Sequence, residues 1–349
     1  MLTQKNLAPS RPPEFYQSLP KVELHRHLEG SLRFETMVEV ARQNKMRIQD
    51  PKQLRSLVQV NDGEPYNFRN FLSKFETLRT FYQSPEIIGR FVQEVVADAA
   101  ADNVRYLELR FTPMALSAAQ GFPLAEVIDW VIENVDTSSQ KNNIQTRLIV
   151  SLNRHESVKI GEEIVALAID RKDRGVVALD LAGNEAQFPA LPFSGIMREA
   201  KQAGLHITIH AGEWGGASNV ADAIGSLYAD RIGHGVRVIE DPEVMELSRA
   251  KQIPFCVCMT SNLQSGISAS LEEHPIREML ENGLNVTLNT DDPSISQIRL
   301  SDEYQMFCDG LGFPLSVLRE RLLAAARAVF LPEEERQALV QQLSQEFKI

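Results

Sequence analysis

The stretch KVELHRH at residues 21–27 is a short β-rich run that ends in two histidines, and it sets the pattern for the fold. Side chains alternate along a strand, so His25 and His27 point to one side and Arg26 points to the other. Seven further runs follow, and most are apolar on both faces, which is typical of strands buried in a parallel sheet. These runs are RYLELRF (105–111), QTRLIVSL (145–152), VVALDLAG (176–183), HITIHAGE (206–213), RIGHG (231–235), PFCVCMTSN (254–262) and NVTLNTDD (285–292).

Helical patterns separate the later runs. Pro242 and Pro275 stand where a first helical turn should begin, which is a position that proline favours. Strands that alternate with helices predict an α/β fold, here a (β/α)8 TIM barrel formed as a single domain by residues 1–349. The helical patterns lie at residues 192–204, 218–229, 241–252 and 274–283, and a helical tail begins near Pro314.

The connection from the first strand to the second is too long for one helix. Residues 28–104 therefore predict a helical insertion, and residues 1–18 predict an N-terminal extension. Within the insertion, one helical face carries six large apolar side chains. This helix either packs on the barrel or caps its mouth, and the two interpretations are compatible because the insertion leaves the face where barrel active sites lie. The six residues are Phe68, Phe71, Leu72, Phe75, Leu78 and Tyr82.

Composition excludes several classes of function. The formal net charge of -11 argues against non-specific binding to nucleic acid or to an anionic membrane surface, since both need clustered Lys and Arg. We find neither an apolar secretory signal nor an apolar run of about 18 residues, so we expect a cytoplasmic protein with no membrane span. Cys256, Cys258 and Cys308 have no zinc-ribbon or redox spacing and are expected to be free buried thiols.

Ionisable residues concentrate at the ends of the predicted strands. In a TIM barrel these ends converge on one face, so residues far apart in sequence meet in one pocket. Any single histidine of this kind is more often a hydrogen-bonded core residue, but that explanation does not suit four such residues at strand ends. His25, His27, His210 and Asp291 offer three nitrogens and one oxygen, a set that suits one zinc ion with room for a water molecule.

The absence of lysine from VVALDLAG (176–183) favours one metal over two, because two-metal barrels often bridge their metals with a modified lysine on this strand. Glu213 lies three residues past His210 and could exchange a proton without binding the metal. His234 could orient the water or accept its proton, and Asp292 could contact the substrate. Each also has a structural interpretation: a helix cap for Glu213, a structural histidine for His234 and a turn before Pro293 for Asp292.

Taken together, these motifs resemble the adenosine deaminase family of metal-dependent hydrolases. The resemblance covers roughly residues 18 to 340, and the set is far more specific than any one motif. In order along the chain the motifs are LPKVELHRHLEGSL, LAGNE, HAGE, RIGHG, TSN and LNTDDPS.

The resemblance implies a purine 6-aminohydrolase with one zinc ion and a small-molecule purine as its partner. It implies that Glu213 protonates ring atom N1, that His234 orients or deprotonates the water, and that Asp292 bonds to N7. It also implies that the backbone of Gly183 contacts N3, and that ammonia leaves an inosine-type product. Another zinc deaminase fold combines H-x-E with P-C-x-x-C, and this combination does not occur here because the sequence has no P-C-x-x-C.

Glu29 departs from the pattern of many nucleoside-acting members, which have Asp at this position against the ribose 5′ hydroxyl. Glutamate is frequent in adenine-specific relatives, whereas VRYLELRFTP (104–113) and CMTSN (258–262) look closer to the nucleoside branch. An adenine nucleoside is therefore the first expectation. Free adenine, a 5′-modified nucleoside such as aminodeoxyfutalosine, an amide or ester substrate, a binding protein without activity, and the oligomeric state all remain open. Glu29 could also pair with an arginine or start a helix.

Overall fold

The computed structural model describes residues 11–48 and 50–347. Its sheet has eight parallel strands whose order in space follows their order in sequence, β1 to β8. The strands are β1 Lys21–His27, β2 Val104–Phe111, β3 Gln145–Asn153, β4 Val176–Ala182, β5 His206–Ala211, β6 Arg231–His234, β7 Pro254–Val257 and β8 Asn285–Leu288.

The sheet closes through the residues that follow β8. Arg26 and Asp291 form a parallel β-bridge. The Asp291 N–H donates to the carbonyl of His25 at 2.9 Å, and the His27 N–H donates to the carbonyl of Asp291 at 2.9 Å. These contacts join the last segment to the first strand, so the predicted (β/α)8 barrel is confirmed.

Helices surround the sheet and fill the connections. They are α1 Pro13–Ser18, α2 Phe34–Gln43, α3 Pro51–Val58, α4 Phe68–Leu78, α5 Pro85–Ala101, α6 Pro113–Ser117, α7 Leu124–Asn142, α8 Val158–Ile169, α9 Ser194–Gln202, α10 Ala217–Gly225, α11 Pro242–Ala250, α12 Met259–Gln264, α13 Ile276–Glu281, α14 Pro293–Ser296, α15 Leu300–Gln305, α16 Leu315–Arg327 and α17 Glu333–Glu346. Of the predicted N-terminal extension, residues 1–10 lie outside the described residues, and α1 occupies part of the remainder.

Strands β4, β5 and β6 end one or two residues before the predicted runs do, and the last two strands end four or five residues early. The run 254–262 leaves the sheet at Val257, and its polar end forms α12 instead. The run 285–292 leaves the sheet at Leu288, and Asp291 then takes a left-handed backbone conformation with φ of 67°. In both runs the polar side chains beyond the strand bond to buried carboxylates instead of continuing the ladder, since the Ser261 hydroxyl donates to Asp291 and the Thr290 hydroxyl donates to Glu23.

The helical insertion is present between β1 and β2, where it forms α2 to α5. The apolar face of α4 is shorter than predicted, since the helix ends at Leu78 and a 3-10 turn over Arg79–Phe81 precedes Tyr82. Asn67 caps the start of α4 by accepting a hydrogen bond from the Asn70 N–H at 2.9 Å. The insertion thus brings one side of a well-capped helix to the mouth of the barrel.

A buried ionic cluster lies toward the amino-terminal end of the barrel. One oxygen of Glu108 accepts from the Tyr106 hydroxyl at 3.0 Å and from the Phe330 N–H at 2.7 Å, and the other accepts from Arg231. The Arg231 guanidinium also donates to the carbonyl of Ala328 at 2.9 Å and lies 4.0 Å from the centre of the Phe330 ring. The chain segment after α16 therefore seals this end of the barrel.

All three cysteines are free and buried, as predicted. Among the helices of residues 11–48 and 50–347, none combines the length and the apolar character needed to cross a membrane.

Candidate active site

A pocket opens at the carboxyl-terminal end of the barrel, where the sequence placed the site. Of the nine predicted site residues, all but His25 line this pocket, and His25 lies fully buried beneath it. Helix α4 contributes Phe71, Leu72 and Phe75 to the wall. The predicted residues in the lining are His27, Glu29, Gly183, His210, Glu213, His234, Asp291 and Asp292.

The four predicted metal ligands meet in one cluster. One oxygen of Asp291 lies 3.1 Å from His25 Nε2 and 3.4 Å from His27 Nε2. His27 Nε2 is in turn 3.2 Å from His210 Nε2. Burial lowers the pKa of His25 well below its usual value and that of His27 to about 3. Both rings are therefore neutral at pH 7, which is the form that binds a metal.

The donor set of this cluster fits a divalent metal. The His25 side chain is fully buried, yet its Nδ1 has no partner among the described residues and its Nε2 has only the Asp291 carboxylate near it, 3.1 Å away. A buried ring nitrogen without a good hydrogen bond is costly unless another group satisfies it, and a metal ion bound at Nε2 would do so for that nitrogen. Two overlapping sets of ligand atoms lie within 4.8 Å of one another: His25, His210, His234 and Asp291, and His27, Asp180 and His210.

Asp180, in the interior of β4, supports the cluster and was missed from the sequence. Its Oδ1 lies 3.0 Å from Nδ1 of His210, while Oδ2 accepts from Ser151 at 3.0 Å and lies 3.3 Å from Arg110. Burial alone would raise the pKa of Asp180, but His210 and Arg110 hold it well below its usual range. The carboxylate therefore fixes the proton of His210 on Nδ1 and leaves Nε2 free as a ligand.

Glu213 and His234 face each other beside the cluster. Glu213 Oε2 lies 3.7 Å from His234 Nε2, and that nitrogen lies 3.8 Å from Oδ2 of Asp291. Burial, with the charges of Asp291 and Glu185, raises the pKa of Glu213 well above its usual value. Burial lowers the pKa of His234 to about 4. A divalent cation at Asp291 would lower the pKa of Glu213, because it offsets the carboxylate charge.

Asp292 and Glu29 line the part of the pocket next to Gly30. Burial, with the charges of Asp291 and Glu29, raises the pKa of Asp292 well above its usual value, and its Oδ1 lacks a partner within the described chain. Gly30 permits this arrangement, since a Cβ there would lie 1.7 Å from the Asp292 carboxylate. Glu29 starts a 3-10 turn and accepts from the Thr112 N–H at 2.7 Å.

Glu185, three residues after β4, holds the loop that carries Glu213, a role that was not predicted. Its carboxylate accepts from the backbone N–H groups of four consecutive residues, 212–215, at 2.6–3.0 Å, and from the Asn219 side chain at 2.8 Å. Gly183, two residues earlier, has φ of 97°, a conformation that glycine adopts without strain. The two loops therefore form one bonded wall of the pocket.

The loop after β7 supports the side of the pocket that holds Asp291 and His234. The Ser261 hydroxyl donates to Oδ2 of Asp291 at 2.7 Å, and the Asn262 amide lies 3.2 Å from His234 Nδ1. Glu303 of α15 holds the start of this loop by accepting from the N–H groups of Met259 at 3.0 Å and Thr260 at 2.9 Å. The polar end of PFCVCMTSN (254–262) thus bonds to residues of the site and is not part of the sheet.

Comparison with known proteins identifies the family. Residues 20–346 match the sequence profile described as adenosine deaminase. A curated adenosine deaminase of Klebsiella pneumoniae is 36% identical over 330 residues, which is 94% of this chain and 98% of that protein. The chain belongs to the adenosine deaminase family. It is accordingly a hydrolytic deaminase.

Solved structures of this family and fold superpose along nearly the whole deaminase chain. An adenine deaminase from Arthrobacter aurescens has a TM-score of 0.86 at 27% identity, covering 94% of this chain and 98% of that one. An amidohydrolase from Burkholderia ambifaria with bound Zn has a TM-score of 0.86 at 26% identity, covering 96% and 92%. An ADAL from Arabidopsis complexed with IMP has a TM-score of 0.85 at 30% identity, covering 95% and 98%.

Proposed function

We propose that this deaminase uses one zinc ion to hydrolyse the amino group at C6 of adenosine or a related adenine nucleoside, giving an inosine-type product and ammonia. One observation carries the proposal: three histidines and an aspartate meet beside Glu213 in the pocket at the carboxyl-terminal end of the barrel. The zinc-containing Burkholderia neighbour supports the choice of metal.

His25, His27, His210 and Asp291 would hold the zinc ion. The choice of His27 over His234 rests on contact, because His27 Nε2 approaches both Asp291 and His210 within 3.4 Å. Bound zinc supplies Lewis acidity, which lowers the pKa of a water molecule toward neutrality. The Asp180 carboxylate keeps the His210 ring in the orientation that this ligand set needs.

The proton steps fall to Glu213 and His234. The raised pKa of Glu213 favours the protonated acid, which can donate to ring atom N1 while water oxygen bonds to C6. His234 orients this water or takes its proton. When the C6–N bond breaks, the amino group takes up the proton that the attacking water lost and leaves as ammonia. C6 keeps the oxygen, and the hydroxyl proton on C6 restores the acid form of Glu213, so the overall reaction consumes one water.

The purine ring would lie against Asp292 and Gly183. Protonated Asp292 can donate a hydrogen bond to N7, and its unpaired Oδ1 shows unused hydrogen-bonding capacity at this wall among the described residues. The backbone N–H of Gly183 would donate to N3. Both contacts are made to ring acceptors that adenosine and adenine share, so they select the purine and not the sugar.

The part of the pocket lined by Glu29, Glu76 and Arg79 favours a substrate whose ribose carries no phosphate. The two acidic side chains outnumber the one cation there. A phosphate would be repelled by the carboxylates, whereas a sugar hydroxyl could donate to Glu29. We propose that α4, with its apolar side chains on the pocket, acts as a cap over the bound nucleoside. The three free thiols fit a reducing, cytoplasmic location.

A side-by-side rate comparison tests the proposal. Ammonia release and the change in purine absorbance are measured with adenosine, deoxyadenosine, adenine, adenosine monophosphate and a 5′-extended adenine nucleoside. We expect kcat/KM to be highest for a nucleoside without phosphate. A strong preference for adenine or for the monophosphate would overturn the substrate, and absence of ammonia with all five would overturn deamination of adenine compounds.

A further inference from the structure

A chain of hydrogen bonds runs from the backbone of the first residue of α13 to the pocket through three buried side chains. The Ile276 N–H donates to Nδ1 of His274 at 3.1 Å. Nε2 of His274 lies 3.2 Å from the Oδ1 of Asn262, whose Nδ2 lies 3.2 Å from Nδ1 of His234. Of the three side chains, only His234 lines the pocket, and each residue is at most 3% exposed.

The first link of this chain has a fixed direction. A backbone N–H can only donate, so Nδ1 of His274 must carry a lone pair. Burial lowers the pKa of His274 to about 4, so its ring is neutral at pH 7. A neutral imidazole has one proton, which must then lie on Nε2 and point to Asn262.

The direction passes along the amide to His234. An N–H at His274 requires the amide oxygen of Asn262 on its side, which places the amide NH2 group against His234. An amide nitrogen donates and does not accept, so Nδ1 of His234 must be the acceptor. The orientation of the amide therefore follows from its two neighbours and not from an arbitrary choice of oxygen and nitrogen.

We propose that His274 and Asn262 are positioning residues that fix His234 in the neutral tautomer with its proton on Nε2. His234 then presents a hydrogen-bond donor to the pocket. The surroundings of Nε2 agree, because carboxylate oxygens of Glu213 and Asp291 lie 3.7 and 3.8 Å away, and such oxygens accept.

This tautomer decides between two roles for His234, given the proposed deamination. Its Nε2 has no free lone pair, so His234 orients the water by donation and does not take its proton. For the same reason Nε2 of His234 is not a metal ligand, although its position alone would admit one. The water proton then goes to Glu213, which can accept it once it has donated its own proton to N1.

Nitrogen-15 NMR of the zinc-loaded full-length protein tests the assignment without using activity. Two-bond couplings from the ring C–H protons distinguish the two tautomers, and the His234 and His274 signals are assigned from single substitutions. We expect the Nε2–H tautomer in both rings at pH 7. An Nδ1–H tautomer in His234 would overturn the proposal, whatever the substrate turns out to be.

The variant Asn262→Asp provides the second test. A carboxylate only accepts, so Nδ1 of His234 must gain the proton and Nε2 must lose it. We expect the NMR tautomer to switch and kcat to fall at least about 10-fold with little change in KM, because a wrong tautomer impairs the step rather than binding. An unchanged tautomer would contradict the proposal. Asn282→Asp, the same change on an exposed turn, is the matched control and should alter neither measurement.

Metal content gives the third readout. His234→Gln protein should still bind one zinc ion per chain, whereas His25→Gln protein should not. Loss of zinc from both variants would show that His234 is a ligand and would overturn the donor role. This outcome remains distinguishable from a wrong substrate, since neither the NMR measurement nor the zinc measurement depends on turnover.

Discussion

Both ends of the barrel bury ionisable groups, but the two ends differ in how fully hydrogen bonds satisfy these groups. Toward the amino-terminal end, both oxygens of Glu108 have partners, and both terminal nitrogens of Arg231 donate, to Glu108 and to the chain segment that seals the barrel, so that Nε of Arg231 is the unpartnered atom of this pair among the described residues. At the carboxyl-terminal end, among the described residues, Nδ1 of His25 and one oxygen each of Glu29 and Asp292 have no hydrogen-bond partner.

This difference separates stability from function within one set of strands. A buried polar group whose hydrogen-bond partners are in place helps to specify how the protein packs and takes no part in the reaction. A buried polar group without a partner costs free energy of folding unless a ligand satisfies it. We therefore expect substitutions at the amino-terminal end to change the free energy of unfolding. Substitutions at the other end should change metal binding and rate.

The largest effect is expected from Glu213→Gln. The amide keeps the size of the side chain but cannot donate an acidic proton, so kcat/KM should fall by about 10³ to 10⁴-fold. Thermal unfolding should show little loss of stability, because the His234 ring 3.7 Å from the carboxyl is neutral at pH 7 and forms no ion pair with it. Steady-state ammonia release from adenosine measures the first quantity. Glu246→Gln, an exposed control, should have the wild-type rate, and wild-type activity of Glu213→Gln would overturn its role as acid.

The counterpart at the sealed end is Glu108→Gln. Removing this charge leaves the Arg231 guanidinium buried without its carboxylate, which should cost about 3–5 kcal/mol of unfolding free energy. Denaturant unfolding measures the loss, and the variant that remains folded should keep kcat/KM within a few-fold. The matched control is Glu335→Gln, whose surface pair with Arg147 at 3.5 Å should contribute about 0–1 kcal/mol. A Glu108→Gln protein with full stability but no activity would contradict the claim that this end of the barrel serves stability and not catalysis.

Glu303 predicts a pH dependence of stability. Burial raises its pKa to about 7 from an ordinary 4.5, so the folded state binds this proton more tightly than the unfolded chain. The resulting stability is fully present below about pH 4.5 and is lost as pH rises through about 7, amounting to about 3 kcal/mol at most. The free energies of unfolding of wild type and Glu303→Gln are measured from pH 4.5 to 8.5. As the pH rises over this range, wild type should lose stability relative to the variant. A difference that stays constant over that range would rule the shift out.

The smallest of these effects is expected from Asp180→Asn. The amide is a weaker partner for Nδ1 of His210, so zinc affinity should fall by about 10 to 100-fold, as when other carboxylates behind a metal-bound histidine are removed. Competition with a chromophoric chelator measures it. Asp129→Asn, at a partly exposed ion pair with Arg171, should leave zinc affinity unchanged. An equal loss in both variants would deny Asp180 its supporting role.

The sequence alone predicted the residues that carry a strong signal. His25, His27 and His210 are histidines in otherwise β-rich runs, and the barrel geometry brings strand ends together regardless of sequence distance. The pocket that contains them was therefore predictable. Asp180 could also have been found, because a lone carboxylate inside the apolar strand VVALDLAG requires a buried partner.

The residues that hold the loops could not be found in this way. Glu185 bonds to four consecutive backbone N–H groups, and backbone donors leave no pattern in a sequence. Asn262 and His274 are brought together only by the turn of the chain after β7. The end of β8 was also predicted too late, since Asp291 belongs to the closing bridge and not to the strand.

The most direct test of the account is a zinc titration of metal-stripped protein with ammonia release from adenosine as the signal. The account predicts no release without metal and a rise that saturates at one zinc ion per chain. Full release from the stripped protein, or saturation only at two zinc ions per chain, would contradict it.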